Sequence, residues 1–193
     1  YSPTPIIDEK LGTEIQEKII DKTIHAMRDE GFEFKGFLYA GIMIKDGIPY
    51  VLEYNVRMGD PECQPILMRL DSDLYDYLHA SSEGKLSELP EISWKNQYSV
   101  CVVLASKGYP SSYPTGDEIT GFENIPSDAF VFHAGTKRQD NKIKSNGGRV
   151  LGVTALGSSL QDAINNAYDA CNHIRWTNKY HRTDIGKKGL SNL

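Results

Sequence analysis

The chain has 193 residues, of which 39% are apolar and 24% are charged, proportions typical of an ordinary globular protein. A chain of this length forms one large domain or two small ones. The net charge of −5 and the lack of a long Lys/Arg run argue against a nucleic-acid-binding surface. No apolar run approaches the ~18 residues that a membrane span requires, so we expect neither a nucleic acid nor a membrane as partner.

The cysteines indicate a reducing compartment. Cys63, Cys101 and Cys171 are odd in number and lack the spacing of a metal site, which argues against a disulfide framework. No signal-peptide pattern is present, and we therefore expect a cytoplasmic protein. The chain opens on Tyr1-Ser2-Pro3 without an initiator methionine, from which we expect a processed or excised piece of a longer protein.

The first half of the chain is expected to contain two helices around a β-hairpin. Residues 1–7 carry two prolines and are expected to be extended, and Thr13-Glu14-Ile15-Gln16 fits a capping box. Apolar residues then recur at helical spacing until Gly31, which predicts the end of the first helix. The hairpin is predicted from two apolar runs, residues 37–44 and 50–56, joined by Asp46-Gly47.

A second helix and a domain boundary are predicted after the hairpin. Residues 65–70 are apolar and continue as helix or turn, and Ser72 or Asp71 is expected to cap a helix over residues 73–81 that ends near Gly84. Residues 85–96 are polar and include a proline. We interpret them as the boundary between two parts of the chain.

The second half is expected to be a small α+β domain. Residues 98–105 form a nearly continuous apolar run, which favours a buried strand. Residues 129–133 and 149–156 are further strand candidates, and Asn146-Gly147-Gly148 is a turn signal. Ser159 is expected to cap a final helix with one apolar face.

A polar row at the end of the hairpin is the strongest candidate site. Glu53, Asn55 and Arg57 are spaced by two residues, so in a strand their side chains point to the same face. Carboxylate and amide oxygens suit Mg²⁺, and a guanidinium suits a phosphate. An edge strand with a solvated polar face explains the same spacing equally well.

Gly59-Asp60-Pro61-Glu62 follows this row directly and adds two carboxylates beside it. A plain surface turn explains this pair of acids poorly. Asp60-Pro61 also fits a helix N-cap followed by proline in the first turn, and the two roles are compatible.

These motifs together resemble the phosphoribosylamine–glycine ligase family, also called glycinamide ribonucleotide synthetases, of the ATP-grasp superfamily. The Glu-x-Asn-x-Arg strand alone is similar to any ATP-grasp ligase or carboxylase. Its combination with Gly-Asp-Pro-Glu and with motifs of the second half narrows the resemblance to this family. The further motifs are Gly36-Phe37-Leu38-Tyr39-Ala40-Gly41, Ala105-Ser106-Lys107-Gly108-Tyr109-Pro110, Phe132-His133-Ala134-Gly135-Thr136, Gly147-Gly148-Arg149-Val150-Leu151, Val153-Thr154-Ala155-Leu156-Gly157 and Arg182-Thr183-Asp184-Ile185-Gly186.

The resemblance implies the fold and the domain organisation. Residues 1–90 are expected to be the C-terminal half of an ATP-grasp module, an antiparallel sheet with helices, and residues 97–193 the C-terminal domain of the ligase. The family has an N-terminal domain and a nucleotide-clamping lobe before the point that Tyr1-Ser2-Pro3 resembles. The resemblance therefore implies a C-terminal fragment that is inactive alone and whose partner is the missing N-terminal part of the same enzyme. Met58 and Cys63 depart from the family pattern, outside the charged row.

The resemblance also implies a reaction. ATP phosphorylates glycine, and the amine of 5-phosphoribosylamine displaces phosphate from the glycyl phosphate to give glycinamide ribonucleotide, a step of purine biosynthesis. Glu53 and Asn55 would bind Mg²⁺ or Mn²⁺, and Arg57 would be the catalytic residue that steadies the transferred phosphoryl group. Gly59, Asp60, Pro61 and Glu62 would bind substrate or phosphate. A monomer is expected.

Two other interpretations remain open. A different ATP-grasp carboxylase or ligase would share the metal-binding strand, and a folded fragment without activity would share the whole sequence. His133 is either a base or, more commonly for a histidine at a strand end, a hydrogen-bonded structural residue. Arg149 either faces a phosphate or pairs with an acid. We include neither among the catalytic residues.

Overall fold

The computed structural model describes residues 1–191 and divides the chain into two compact units. The hairpin unit comprises Thr4–Asp60 and Leu70–Trp94, and the sheet unit comprises Tyr1–Pro3, Pro61–Arg69 and Lys95–Leu193. The chain therefore passes from one unit to the other four times. Helices and antiparallel strands occur in both units, which confirms the expected α+β class.

The hairpin unit begins with a continuous helical segment. It consists of α1 (Glu9–Ile15), a π-helical turn (Gln16–Ile20) and α2 (Asp21–Asp29). The helix ends before Gly31, whose φ of 85° is the left-handed conformation expected at this stop.

The predicted capping box at Thr13 is wrong. The N-cap is Asp8, whose Oδ1 accepts the N–H of Leu11 at 2.8 Å, so the helix begins five residues earlier than the Thr13 pattern indicates. The hydroxyl of Thr13 instead donates to the carbonyl of Glu9 inside the helix, at 3.0 Å.

The hairpin follows as predicted, with shifted ends. β1 (Tyr39–Lys45) pairs antiparallel with β2 (Ile48–Asn55), and the register changes between Gly41 and Ile42, which marks a β-bulge. Asp46 and Gly47 have φ values of 53° and 75°, the left-handed pair that a two-residue hairpin turn of this kind needs.

Two short helices precede the predicted boundary at residues 85–96. α3 (Cys63–Arg69) belongs to the sheet unit, and α4 (Leu74–Glu83) to the hairpin unit. The cap of α4 is Asp73, which accepts the N–H of Tyr75 at 2.9 Å, so the predicted caps Ser72 and Asp71 are wrong. A 3-10 turn at Leu86–Glu88 follows.

The sheet unit is built on a four-stranded antiparallel sheet. In spatial order it contains β5 (Ala129–His133), β8 (Arg149–Gly157), β3 (Tyr98–Ser106) and β9 (Lys179–Tyr180). Both α3 and α5 (Leu160–His173) pack against the central strands β3 and β8. This burial explains the nearly continuous apolar sequence of β3.

The core of this unit lies between α5 and one face of the central strands. Ser159 caps α5 as predicted, its Oγ accepting the N–H of Asp162 at 3.1 Å. The buried side chains that meet here are mostly aliphatic: Val100, Val102, Leu104, Val153, Leu160, Ile164, Ala167 and Cys171. Since the contributing residues alternate along β3, the next residues of that strand face away from this core.

A second sheet of three strands was not predicted. It contains β4 (Glu118–Ile119), β7 (Lys142–Ser145) and β6 (Thr136–Gln139), in this order. A 3-10 turn at Phe122–Asn124 and the short α6 (Lys187–Leu190) complete the unit.

Candidate functional site

Glu53 and Asn55 lie at the end of β2 and share one face of the hairpin, as the spacing predicted. Asn55 Nδ2 donates to Glu53 Oε1 at 3.1 Å. Glu53 is exposed and Asn55 half-buried, so both oxygen-bearing groups are accessible to a bound ion. The opposite side of the strand is tied to the preceding helix, because the hydroxyls of Tyr54 and Thr23 are 2.8 Å apart.

Gly41 lies directly opposite Glu53 in the hairpin and makes room for its side chain. The two residues are register partners at the bulge in β1. A Cβ atom placed on Gly41 would lie 2.9 Å from Glu53 Cγ and 3.6 Å from Glu53 Oε1. Since carbon atoms in contact prefer ~3.5–4.0 Å, any larger residue at position 41 would displace the carboxylate.

Arg57 does not continue the row. The strand ends at Asn55, because its partner strand begins at Tyr39, the residue paired with Asn55. The guanidinium of Arg57 is exposed, and its Nη1 donates to the carbonyl of Met58 at 3.0 Å. The prediction that Arg57 shares a strand face with Glu53 and Asn55 is therefore wrong, although all three residues belong to one unit.

The four residues of the Gly-Asp-Pro-Glu motif lead from the hairpin unit into α3. Gly59 is buried and Asp60 exposed at the end of the hairpin unit. Pro61 is half-buried and Glu62 exposed at the start of the sheet-unit segment, where the carbonyl of Glu62 accepts the N–H of Ile66 at 3.3 Å. A helix does follow the motif, but α3 begins at Cys63, two residues after Pro61, so the prediction of Asp60 as its N-cap and Pro61 as its first residue is wrong.

The donor set at the end of β2 fits a metal ion that is bound mainly by phosphates. Within residues 1–191, no group of three or more His, Cys, Asp or Glu side chains is arranged to hold a metal ion. One carboxylate and one carboxamide on a strand therefore supply only part of a coordination shell. This is the usual protein share for Mg²⁺, whose remaining ligands are waters and substrate phosphates.

His133 has the environment of a structural residue. Its Nδ1 lies 3.0 Å from Thr136 Oγ1, and its ring stacks on Phe122 with 5.4 Å between the ring centres. The histidine thus connects the end of β5 to the start of β6.

The motif Arg182-Thr183-Asp184-Ile185-Gly186 forms a turn in the sheet unit that is held by an ion pair and by hydrogen bonds to Tyr168. Arg182 donates from Nε and Nη2 to the two carboxylate oxygens of Asp184, at 2.8 and 2.6 Å. This pairing lowers the pKa of the Asp184 carboxyl. The hydroxyl of Tyr168 donates to the carbonyl of Arg182 at 2.8 Å and accepts the N–H of Ile185 at 3.1 Å, which fixes the turn to α5.

Comparison with known proteins matches two family models to successive parts of the chain. The family model for the ATP-grasp (A) domain of phosphoribosylglycinamide synthetase matches residues 1–63, and the model for its C domain matches residues 99–188. The two models together match most of the chain. The chain belongs to the phosphoribosylglycinamide synthetase family. The resemblance stated from the motifs is confirmed.

Relatives in this synthetase family match nearly the whole of this chain, but the match covers only part of each relative. A phosphoribosylamine–glycine ligase of Rhodopirellula baltica is 45% identical over 192 residues, which are 98% of this chain and 44% of that protein. A ligase of the same name from Vibrio parahaemolyticus is 46% identical over 99% of this chain and 45% of its own length. A bifunctional purine biosynthetic protein of Pichia angusta is 44% identical, and the match covers 98% of this chain and 24% of that protein. The chain thus spans less than half the length of these relatives.

Solved structures agree with the synthetase assignment. The phosphoribosylamine–glycine ligase of Thermotoga maritima is 34% identical with a TM-score of 0.81, over 92% of this chain and 44% of that one. A biotin carboxylase of Campylobacter jejuni, 17% identical with a TM-score of 0.64 over 97% of this chain and 41% of that one, has a similar fold. The family model for the ATP-grasp (A) domain, together with the ligase structure, confirms the ATP-grasp assignment of the fold. No helix within residues 1–191 is long and apolar enough to cross a membrane.

Proposed function

We propose that this chain contributes to an ATP-dependent ligase that joins glycine to 5-phosphoribosylamine, giving glycinamide ribonucleotide, ADP and phosphate in purine biosynthesis. Identity of about 45% to ligases of that name, along 98–99% of the chain, supports the reaction. The observation that carries the chemistry is the Glu53–Asn55 pair, with 3.1 Å between Oε1 and Nδ2 at the end of β2. Residues 97–193 would form the C-terminal domain of this enzyme, and residues 1–90 part of its ATP-grasp module.

The residues at the end of β2 would each have a distinct task. Glu53 and Asn55 would hold Mg²⁺ or Mn²⁺, and this ion, when bound with ATP, supplies charge neutralisation at the phosphates. Arg57 is the proposed catalytic residue, because a guanidinium stabilises the charge that develops as the phosphoryl group passes to the glycine carboxylate. It would have to exchange its contact to the Met58 carbonyl for one to the phosphoryl group.

The Gly-Asp-Pro-Glu motif would complete the substrate side. Gly59 has no side chain to exclude a ligand from the backbone. Asp60 and Glu62 carry exposed carboxylates that suit the amine or hydroxyl groups of 5-phosphoribosylamine, while Pro61 fixes the backbone between them. The amine then attacks the glycyl phosphate and phosphate leaves. We propose a cytoplasmic location for this chemistry.

The direct test is ADP release by the complete reading frame that contains this chain. The assay supplies Mg²⁺-ATP, glycine and freshly prepared 5-phosphoribosylamine, and omits each co-substrate in turn. We expect ADP release that depends on both co-substrates, and none from the isolated 193 residues. ADP release that depends on bicarbonate and not on glycine would contradict the ligase and favour a carboxylase.

A charge-removing substitution tests the metal pair. Glu53→Gln keeps the size of the side chain and removes its charge, so we expect the rate at saturating ATP to fall by at least ~100-fold, the scale of one lost electrostatic contact in a transition state. Glu30→Gln, at an exposed position after α2 in the same unit, is the matched control and should leave the rate unchanged. Turnover near the wild-type rate in Glu53→Gln would remove Glu53 from the metal site.

A further inference from the structure

The strand β5 forms one edge of the four-stranded sheet, and only one of its two sides is paired. The carbonyl of Asp128, just before the strand, accepts the N–H of Leu156 in β8 at 3.0 Å. Because the hydrogen-bonding direction alternates along an antiparallel strand, Val131 and His133 direct their backbone groups away from β8. Within residues 1–191, the N–H and C=O groups of Val131 have no hydrogen-bond partner.

The sequence of β5 lacks the features that usually protect an edge strand from pairing. Protected edges are very short, carry lysine or proline, or contain a bulge. The edge strands β4 and β9 have only two residues each, and β6 carries the exposed Lys137 and Arg138. In contrast, β5 has five residues with no lysine, arginine, acid or proline and no change of register. This edge is therefore open to pairing with another strand.

Two phenylalanine rings lie beside this edge, on the face of the sheet that points away from α5. Val131 packs against the core under α5, so Phe130 and Phe132 project from the opposite face. Their ring centres are 4.7 Å apart, and Phe130 is 52% exposed. An exposed apolar surface next to an unpaired strand edge is typical of a protein–protein contact.

The sequence of β5 is complementary to itself in antiparallel pairing. A two-fold axis at Val131 places this residue opposite its own copy, where each outward N–H meets the carbonyl of the other. The N–H of His133 then faces the carbonyl of Ala129 in the second copy. In the same register Phe130 lies opposite Phe132 of the second copy, at a non-hydrogen-bonded pair, the kind in which side chains are closest. The rings of both copies would form one cluster, and no like charges would meet.

We propose that β5 is an interaction surface for a second copy of this chain, with the two β5 strands paired antiparallel about a two-fold axis at Val131. The pairing joins two four-stranded sheets into one continuous sheet. The contact is closed, because each copy uses the same surface and has one free side of β5. The proposal goes beyond the ligase function and does not depend on it. It departs from the monomer expected from the family resemblance.

The first test measures the mass of the complete reading frame's protein by sedimentation equilibrium over about a hundredfold range of concentration, since association follows mass action. We expect a monomer–dimer equilibrium. Val131→Pro removes the outward N–H, which β8 does not use, at an edge position that tolerates proline. Phe130→Lys places a charge in the ring cluster. Each variant should raise the dissociation constant of the dimer at least ~tenfold.

A matched control and a folding check accompany these variants. Tyr113→Lys replaces another exposed aromatic residue of the sheet unit, outside β5, and should dimerise as the wild type does. Circular dichroism shows whether each variant is folded, and because one variant changes the backbone and the other a side chain, either decides if the other does not fold. A wild type that stays monomeric, or folded variants that dimerise like the wild type, would overturn the proposal.

A cross-linking test checks the register and does not depend on loss of binding. Phe130→Cys and Phe132→Cys proteins are prepared separately and mixed under mild oxidation. In the proposed register these positions lie opposite each other with Cα atoms ~4.5 Å apart, a separation that a disulfide can span. We expect more disulfide-linked dimer in the mixture than in either protein alone or in the wild type. Equal cross-linking in all samples would contradict the proposed pairing.

Hydrogen exchange distinguishes a second copy from other occupants of this edge. In the proposed dimer, the Val131 amide exchanges more slowly as the protein concentration rises. Slow exchange at every concentration in a monomeric protein would mean that another segment of the complete protein covers β5, and the proposal would be wrong. None of these measurements involves turnover, so the presence or absence of glycine-dependent ADP release does not change their interpretation.

Discussion

Replacing Gly41 with alanine tests whether the bulged pairing of β1 with β2 positions the Glu53 carboxylate. The new Cβ would lie 2.9 Å from Glu53 Cγ, which is about 0.6 Å inside the ~3.5 Å at which carbon atoms begin to attract rather than repel. Because Glu53 Cγ sits next to the backbone, the contact is relieved only by moving the side chain away from its favoured torsions. Such a displacement costs about 0.5–1.5 kcal/mol.

This cost falls on the conformation that binds the metal ion. If the whole of this cost is subtracted from the free energy of Mg²⁺ binding, the Mg²⁺ concentration for half-maximal ADP release should rise about 2- to 10-fold, since 1.4 kcal/mol corresponds to tenfold. Overall stability should not fall, because alanine in place of glycine restricts the unfolded chain. The measurement is a titration of free Mg²⁺ at saturating substrates, together with the unfolding temperature.

Gly12→Ala is the matched control. A Cβ at Gly12 would lie 3.7 Å from Ile7 Cγ2, an ordinary contact, and the residue lies inside α1 of the same unit. This variant should gain up to ~1 kcal/mol of stability and keep the wild-type Mg²⁺ dependence. Wild-type Mg²⁺ dependence in Gly41→Ala would refute the positioning role of Gly41.

Three further predictions concern stability, each measured by chemical or thermal unfolding. Tyr54→Phe should cost about 0.5–1.5 kcal/mol, because Thr23 donates its only hydroxyl proton to the carbonyl of Ile19 and so accepts from Tyr54; no loss would mean that water replaces this bond fully. Ser159→Ala should cost about 1 kcal/mol through loss of the α5 cap, and an unchanged midpoint would contradict that role. Hydrogen bonds, of which that from Ser158 has the largest effect, lower the pKa of Asp162 below its value in the unfolded chain. The contribution of Asp162 to folding stability is therefore present above pH ~4 and is lost as the pH falls through the pKa of the folded state. Asp162→Asn should flatten the stability profile in that acidic range, and an unaltered profile would exclude this linkage.

Local patterns predicted the elements whose determinants lie close together in sequence. The hairpin turn at Asp46-Gly47 and the cap of α5 at Ser159 are of this kind, since each depends on a few adjacent residues. The first helix has its N-cap at Asp8 instead of Thr13, because a Thr followed three residues later by Gln also fits the inside of a helix, where the Thr13 hydroxyl donates to the carbonyl of Glu9.

The missed hairpin of β6 and β7 lacks an apolar alternation that would mark it as two strands. Half of the residues in its two strands are charged and half are exposed, and only Asp140-Asn141 between them signals a turn. Both residues have positive φ, 51° and 59°, as a tight hairpin requires. A search for short turns of Asp and Asn between polar runs would have found it.

The candidate site was predictable up to the end of β2 and no further. The spacing of Glu53 and Asn55 fixed their shared face, whereas the position of Arg57 depends on where the partner strand begins, at Tyr39. A cavity within the sheet unit could not be predicted from the sequence, because its lining joins residues as distant in sequence as Pro61 and Arg182. Only the folded sheet brings these positions together.

The membership of α3 in the sheet unit has a consequence for synthesis and for truncation. Residues 61–69 leave the ribosome before β3 and β8, the strands against which they pack. The helix therefore cannot pack on these strands until about residue 157 has emerged. During this period its apolar side chains are exposed and can bind chaperones. A truncated protein that begins at residue 97 would lack this helix permanently. Because the surface of β3 and β8 that the helix covers would then be exposed, we expect the shorter protein to be less soluble, and a peptide of residues 61–69 added in trans to raise its solubility.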